Sequence, residues 1–335
     1  MNQAIKPAIA QQFDFTPAWW MRNRHAQTIL PRFFRPRLSV EVTFEALETP
    51  DNDFLELAWA AHGNPNAPLV VVLHGLEGNI NSFYAKGLLK ALTQNGFDAV
   101  LMHFRNCSRE PNRQARAYHS GETSDLAFVI DTLTQRFAGR TLYAVGFSLG
   151  GNVLAKYLGE KQQHSGLAAG VVVSAPYHLS SSCQVIRKSC FKLYQKYLLD
   201  RMKKSFSRKL DTLTDQININ RETLFKINDL WQFDDQITAP LHGFDGAEDY
   251  YQQASAQPYL KHITTPTLLI HAEDDPMLSR QAVPLQEQVN SPVTLAVSKH
   301  GGHVGFISGN NPLRPIFWLE QVIPEYLQQF HSKAK

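Results

Sequence analysis

Gly146-Phe147-Ser148-Leu149-Gly150 constrains this chain more than any other stretch. An apolar run, Leu142-Tyr143-Ala144-Val145, precedes it and reads as a buried strand. Gly151 to Leu158 follows with the apolar spacing of a helix. A strand that becomes a helix within one residue holds that residue in a strained backbone conformation and presents its side chain on a sharp corner. Residues two before and two after the corner must be small, because side chains there would collide. Both are glycine. The pattern predicts a nucleophile elbow with Ser148 at its tip.

The flanking sequence supplies the sheet such an elbow needs. Val42 to Leu47 and Phe54 to Trp59 read as two strands joined through Pro50-Asp51-Asn52-Asp53, a hairpin. Leu69 to Leu73 is a continuous apolar run ending at His74-Gly75, the signature of a strand buried on both faces of a parallel sheet. Helical spacing from Ser82 to Gln94, a strand from Ala99 to Phe104 and a helix from Thr123 to Phe137 lead to the elbow strand. Gly170 to Val173 is the next strand. From about Tyr177 to His262 there is helical spacing and no buried-strand signal. Alternation resumes with a strand at Thr265 to Ile270, a helix around Arg280 to Gln288, a strand at Val293 to Val297 and a last helix from about Pro312 to Phe330. The expected fold class is α/β: a mostly parallel, doubly wound sheet carrying an inserted helical cap. The expected division is an arm at 1–40 packed on the core, an α/β core at 41–176 and 263–335, and the cap at 177–262. The arm, centred on Trp19-Trp20-Met21-Arg22-Asn23-Arg24-His25, is too apolar for a disordered tail.

Chemistry follows from strand ends, where ligands of such sheets bind. A serine hydroxyl needs a base, and the base needs an orienting acid. Where an elbow carries the serine, acid and histidine follow it in that order. The strand ending at Ile270 runs into His271-Ala272-Glu273-Asp274-Asp275-Pro276, and the next strand into His300-Gly301-Gly302-His303-Val304-Gly305. Asp275 is preferred over Asp274 because a residue before proline is held extended, although Asp274 remains open. His303 is preferred over His300 because it lies inside the glycine-rich loop. Developing negative charge on an acyl oxygen needs donors. The backbone N–H of Leu149, at a helix start, is one candidate, and that of Leu76 in the loop after the Leu69–Leu73 strand is the other. His74 is expected to be a structural hydrogen-bonder. Arg105 is expected either beside the substrate or tethering a loop through an acid.

Other chemistries lack their signatures. The chain has no H-E-x-x-H, no G-x-x-x-x-G-K and no G-x-G-x-x-G after a strand, so no metal or cofactor is expected. A net charge of +3 does not suggest nucleic-acid binding. The three cysteines, Cys107, Cys183 and Cys190, are odd in number and unpaired in sequence, which suggests a reducing compartment. Met1 to Pro7 has no apolar core of secretory kind, and no apolar run approaches bilayer-spanning length. A cytoplasmic protein is expected. One charge feature stands out: Arg187 to Lys209 carries nine basic residues against Asp200 alone, interleaved with Phe191, Leu193, Tyr194, Tyr197, Leu198, Leu199 and Met202. This reads as a cap helix whose apolar face covers the site and whose basic face either is simply solvated or meets an anionic membrane surface.

Several segments together resemble the YheT-like branch of the α/β-hydrolases, which includes the plant embryogenesis-associated hydrolases and the animal ABHD1/ABHD3 group. They are Pro17 to Trp20 with Arg22 to Thr28, His74 to Gly78 with Asn81 to Tyr84, Phe104 to Ser108, Tyr118 to Glu122, Gly146 to Asn152, Phe233-Asp234-Asp235 with Thr238-Ala239-Pro240, and His300 to Phe306. The branch has glycine where this chain has Asn106, and commonly where it has Arg109. The resemblance implies the α/β-hydrolase fold, a triad of Ser148, Asp275 and His303, and hydrolysis of carboxylic esters, with small-molecule or lipid acyl esters as substrates. It leaves open transfer of the acyl group to an alcohol, or phospholipase-type action. A non-enzymatic interaction protein on a retired hydrolase fold is the remote alternative, disfavoured by the intact serine, acids and histidine.

Overall fold

Five consecutive apolar residues, Leu69–Leu73, run through the middle of an eight-stranded sheet with no exposure to solvent. The computed structural model describes residues 13–35, 38, 40–61, 63–188, 192–213 and 216–331. In chain order the arm forms α1 (Arg24–Ile29). The core follows as β1 (Thr43–Glu48), β2 (Phe54–Ala60), β3 (Leu69–Leu73), α2 (Ala85–Gln94), β4 (Asp98–Met102), α3 (Ser124–Arg136), β5 (Leu142–Phe147), α4 (Leu149–Lys161) and β6 (Ala169–Val173). Next come α5 (Leu179–Lys188), α6 (Leu193–Ser207) and α7 (Ala247–Ala254), with shorter helical turns between them. The chain closes with β7 (Thr267–Ala272), β8 (Val293–Ser298), a short ribbon of β9 (Ile307–Ser308) and β10 (Ile316–Phe317), and α8 (Leu319–His331).

The sheet order is β1-β2-β4-β3-β5-β6-β7-β8. β1 and β2 form the expected antiparallel hairpin, β2 lies antiparallel to β4, and every later pairing is parallel. Alternation along β3 divides its side chains between two cores, as strand pleating requires. Leu69, Val71 and Leu73 pack with Val129 and Ile130 of α3 and Leu154 of α4. Val70 and Val72 pack with Leu88 and Leu89 of α2 and Ile323 of α8. Between Tyr177 and His262 the described residues form helices and turns, with their own cluster around Leu198, Met202, Phe206, Phe233 and Tyr251. No described helix is long and apolar enough to cross a membrane.

Two expected helices differ. Residues 280–288 form only two 3-10 turns, Arg280–Ala282 and Gln286–Gln288. Pro284 separates them, having no N–H to donate and holding Val283 extended at ψ 118°. The last helix begins at Leu319 rather than near Pro312, because Ile316 and Phe317 pair instead with Ser308 and Ile307. The arm does pack on the body. Phe13 and Met21 are buried, and the Ala18 N–H donates to the Ile307 carbonyl at 3.1 Å.

Candidate active site

Ser148 links β5 to α4 with φ +52° and ψ −119°, a conformation that costs a non-glycine residue roughly 1–3 kcal/mol. Its glycines are required by distinct neighbours. A Cβ on Gly146 would lie 2.4 Å from the Gly150 carbonyl oxygen, inside the elbow itself. A Cβ on Gly150 would lie 2.5 Å from the His74 carbonyl oxygen, so this second glycine admits the end of the adjacent strand. Asn152, one turn along α4, is fully buried and donates to the carbonyls of Ser120 and Ala254 at 2.8 Å, tying the elbow helix to two loops.

The strand ends bring the sequence candidates together. His303 Nε2 lies 2.9 Å from Ser148 Oγ, and its Nδ1 lies 2.7 Å from Asp275 Oδ2. The other Asp275 oxygen accepts the Met277 N–H at 2.8 Å, which orients the carboxylate. Asp274 has different partners: one oxygen accepts the Gly302 N–H at 3.0 Å, and the other is 3.3 Å from His300 Nδ1. The acid pair therefore divides, Asp275 facing the inner histidine and Asp274 bracing its loop.

The loop after β3 is held by buried polar groups. His74 Nδ1 donates to the Gly75 carbonyl at 2.7 Å, and Nε2 accepts the Phe104 N–H at 3.1 Å. Complete burial lowers its pKa to about 3, so the ring stays neutral and structural. The Gly75 N–H donates to Tyr84 Oη at 2.7 Å, and the Glu77 N–H to Tyr118 Oη at 2.8 Å. Between them the Leu76 N–H meets no acceptor among the described residues. Leu149 begins α4, where N–H groups have no intrahelical partner. Both leucines line one cavity with Ser148 and His303, of about 1220 Å³. Glu77 is held at φ +53° and buried, and desolvation raises its carboxyl to about 7.

Arg105 belongs elsewhere. Its guanidinium grips both oxygens of Asp125 at 2.8 Å and reaches Asp51 and Asp53 at 2.8 Å, locking α3 to the β1–β2 turn. The basic run from Arg187 to Lys209 is not one surface either. Lys203 donates to the Phe225 and Ile227 carbonyls, Lys209 to Asn112 Oδ1 and the Arg116 carbonyl, Arg201 to the Glu77 carbonyl and Arg208 to the Arg109 carbonyl, while Arg187 pairs with Asp229. Lys188, Lys192, Lys196 and Lys204 are exposed. On the apolar side Tyr194, Leu198, Leu199 and Met202 are buried, whereas Leu193 and Tyr197 are exposed. Phe191 and Cys190 lie outside the described residues.

Sequence reasoning missed the arm's part in the site. Thr28 Oγ1 accepts the His303 N–H at 3.0 Å. Buried Gln27 donates to the Met21 and Ile307 carbonyls and accepts the Ile307 N–H at 2.7 Å. The contact is flush: a Cβ on Gly305 would overlap the Gln27 carbonyl at 2.0 Å, and one on Gly302 would sit 2.6 Å from the Arg24 carbonyl. Those two glycines signal a close approach but not what approaches. The arm also meets the cap, with His25 Nδ1 and Tyr194 Oη 2.8 Å apart.

Residues 68–310 match the family model described as alpha/beta hydrolase fold. The putative esterase YheT of Escherichia coli (strain K12) is 43% identical over 321 residues, covering 95% of this chain and 94% of that protein. The embryogenesis-associated protein EMB8 of Picea glauca is 29% identical, over 92% of this chain and 71% of that one. Among solved structures, the Pyrococcus furiosus esterase Pf2001 matches with a TM-score of 0.57 at 18% identity, over 90% of this chain and 93% of that chain, a likeness of fold.

Proposed function

The chain belongs to the alpha/beta hydrolase family, in its YheT-like branch, and we propose that it is a serine hydrolase that cleaves carboxylic acyl esters. The observation that carries this reading is the unbroken hydrogen-bond line from Asp275 through His303 to Ser148 Oγ at the mouth of strand β5. His303 Nε2 takes the hydroxyl proton as Oγ attacks the acyl carbonyl. Asp275 holds the ring with Nδ1 protonated and stabilises the imidazolium that forms. The N–H groups of Leu76 and Leu149 receive the developing oxyanion. On collapse, His303 returns the proton to the departing alkoxide, leaving an acyl group on Ser148. A water molecule, deprotonated by the same ring, releases the acid.

The substrate class is a small-molecule or lipid acyl ester that fits a large, mostly apolar chamber roofed by the cap. Contact with an anionic surface would fall to the four exposed lysines of the basic run, Lys188, Lys192, Lys196 and Lys204. The test is a fluorophosphonate label mapped by peptide mass, followed by a chain-length series of aryl esters with and without a competing alcohol. Labelling at Ser148 with acid as the product supports the reading. Ester product in the presence of alcohol would make the enzyme an acyl transferase. An adduct elsewhere overturns it.

A further inference from the structure

The cavity that holds Ser148 has a carboxylate in its cap-side wall. Asp234 lines it together with Cys183, Phe233, Tyr250, Tyr251 and Met277. It belongs to the segment Phe233-Asp234-Asp235 with Thr238-Ala239-Pro240, which the catalytic reading leaves without a role. This segment is a π-helical turn, Asp234–Thr238, set between two single α-turns, Leu230–Phe233 and Ala239–His242. Such turns open the helix by one residue, re-aim its side chains, and are concentrated at functional sites.

The turn holds the carboxylate without exhausting it. Thr238 Oγ1 donates to Asp234 Oδ1 at 2.8 Å, and the Tyr251 hydroxyl donates to Oδ2 at 2.7 Å. An ionised carboxylate offers about four acceptor sites, so each oxygen retains one. Among the described residues no cationic side chain forms a salt bridge with it, and burial raises its carboxyl to about 6. A carboxylate in an apolar wall is costly unless donors satisfy it. The Tyr250 hydroxyl accepts the Ser120 N–H at 2.9 Å and makes no hydrogen bond to the Asp234 carboxylate among the described residues. Two acceptor sites are therefore left on a carboxylate that lines the same chamber as the nucleophile.

We propose that Asp234 is a substrate-binding residue that accepts a hydrogen bond from a hydroxyl group on the part of the ester remote from the reacting carbonyl, making hydroxylated esters the favoured substrates. This rests on the ester-hydrolase reading and narrows it. A hydroxyl suits the site better than an ammonium group, because it brings one donor to satisfy rather than three and no charge to desolvate.

The test uses the intact protein and paired esters that differ only in a terminal hydroxyl or methyl, in two series: 4-nitrophenyl ω-hydroxyalkanoates against alkanoates, and butyrate esters of diols against those of simple alcohols. At one chain length in one series the hydroxyl ester is expected to exceed its methyl partner in kcat/KM by roughly ten- to a hundredfold. Asp234→Asn is expected to reduce that ratio severalfold or more, and Thr238→Val, which frees the carboxylate to turn, to reduce it less. Methyl esters equal to or better than hydroxyl esters at every length would overturn the proposal without any variant, even should Asp234→Asn fail to fold. Retention of the full ratio in a folded Asp234→Asn would overturn it as well. If fluorophosphonate labels Ser148 and simple esters turn over while no hydroxyl preference exists, the ester-hydrolase reading stands and only the Asp234 assignment falls. No labelling and no turnover of any ester would remove both.

Discussion

The backbone N–H of His303 donates to Oγ1 of Thr28, 275 residues earlier in the chain, at 3.0 Å. The side chain of His303 faces Ser148 and Asp275, so an N-terminal helix braces the residue on which proton transfer depends. Thr28 itself is anchored, its hydroxyl donating to the Arg24 carbonyl at 2.7 Å. Thr28→Val keeps the shape and removes the acceptor. We expect kcat to fall roughly three- to tenfold with little change in KM, and Thr28→Ser to restore it. Steady-state kinetics on one aryl ester decide this, and wild-type kcat in Thr28→Val would show that the bond does not position His303.

Substitutions along the proton-transfer line should separate the two acids. Ser148→Ala and His303→Ala are expected to abolish ester turnover. Asp275→Asn should lower kcat by about 10⁴ through the wrong imidazole tautomer. Asp274→Asn should act mainly on the loop and cost far less, since its partners are the Gly302 N–H and His300. A crippled Asp274→Asn beside an active Asp275→Asn would reverse the assignment.

Backbone strain at the elbow gives a stability signature independent of activity. Ser148 has φ +52°, which glycine tolerates and alanine does not. Ser148→Gly should therefore be more stable than Ser148→Ala by about 1 kcal/mol, both being inactive. Gly146→Ala should destabilise by roughly 1–3 kcal/mol or more, because its Cβ would meet the Gly150 carbonyl oxygen at 2.4 Å. Denaturant midpoints measure both, and equal stability of the two Ser148 variants would mean the elbow is unstrained.

Acid sensitivity should arise from buried neutral histidines. The rings of His119 and His242 lie with centres 4.6 Å apart and planes tilted by 52°, and burial lowers their pKa values to about 4 and about 3. Their folded pKa values lie below the unfolded value near 6.5, so the unfolded chain binds more protons as pH falls. Their contribution is present above pH 6.5 and is lost progressively from there down toward pH 4 and below. Glu77 and Asp234, raised to about 7 and about 6, act in the opposite sense as they protonate. His242→Phe should lower the slope of unfolding free energy against pH between 6.5 and 4 by about 1.4 kcal/mol per unit. An unchanged slope from urea titrations across that range would contradict the burial argument.

Local pattern announces an element when one neighbourhood decides it. The Leu69–Leu73 run is apolar at every position because both faces of β3 are covered, and the elbow glycines are dictated by atoms within the elbow or in the adjoining strand end. Periodicity misled at 280–288 and 312–318, where Pro284 and the β9–β10 pairing override helical spacing. The basic run from Arg187 to Lys209 reads as a surface in sequence, yet Lys203 and Lys209 turn inward to backbone carbonyls, because a long aliphatic stem can carry its charge to any acceptor within reach.

The sequence by itself determined the sheet, the serine's position on it and the chain order of acid and histidine, since strand burial, turn sterics and residue order are all local or linear properties. Only the tertiary structure decided which acid meets which histidine, what the Gly302 and Gly305 loop packs against, and that Asp234 shares a chamber with Ser148. Those are contacts between segments far apart in the chain, and nothing in the spacing of either segment records the other.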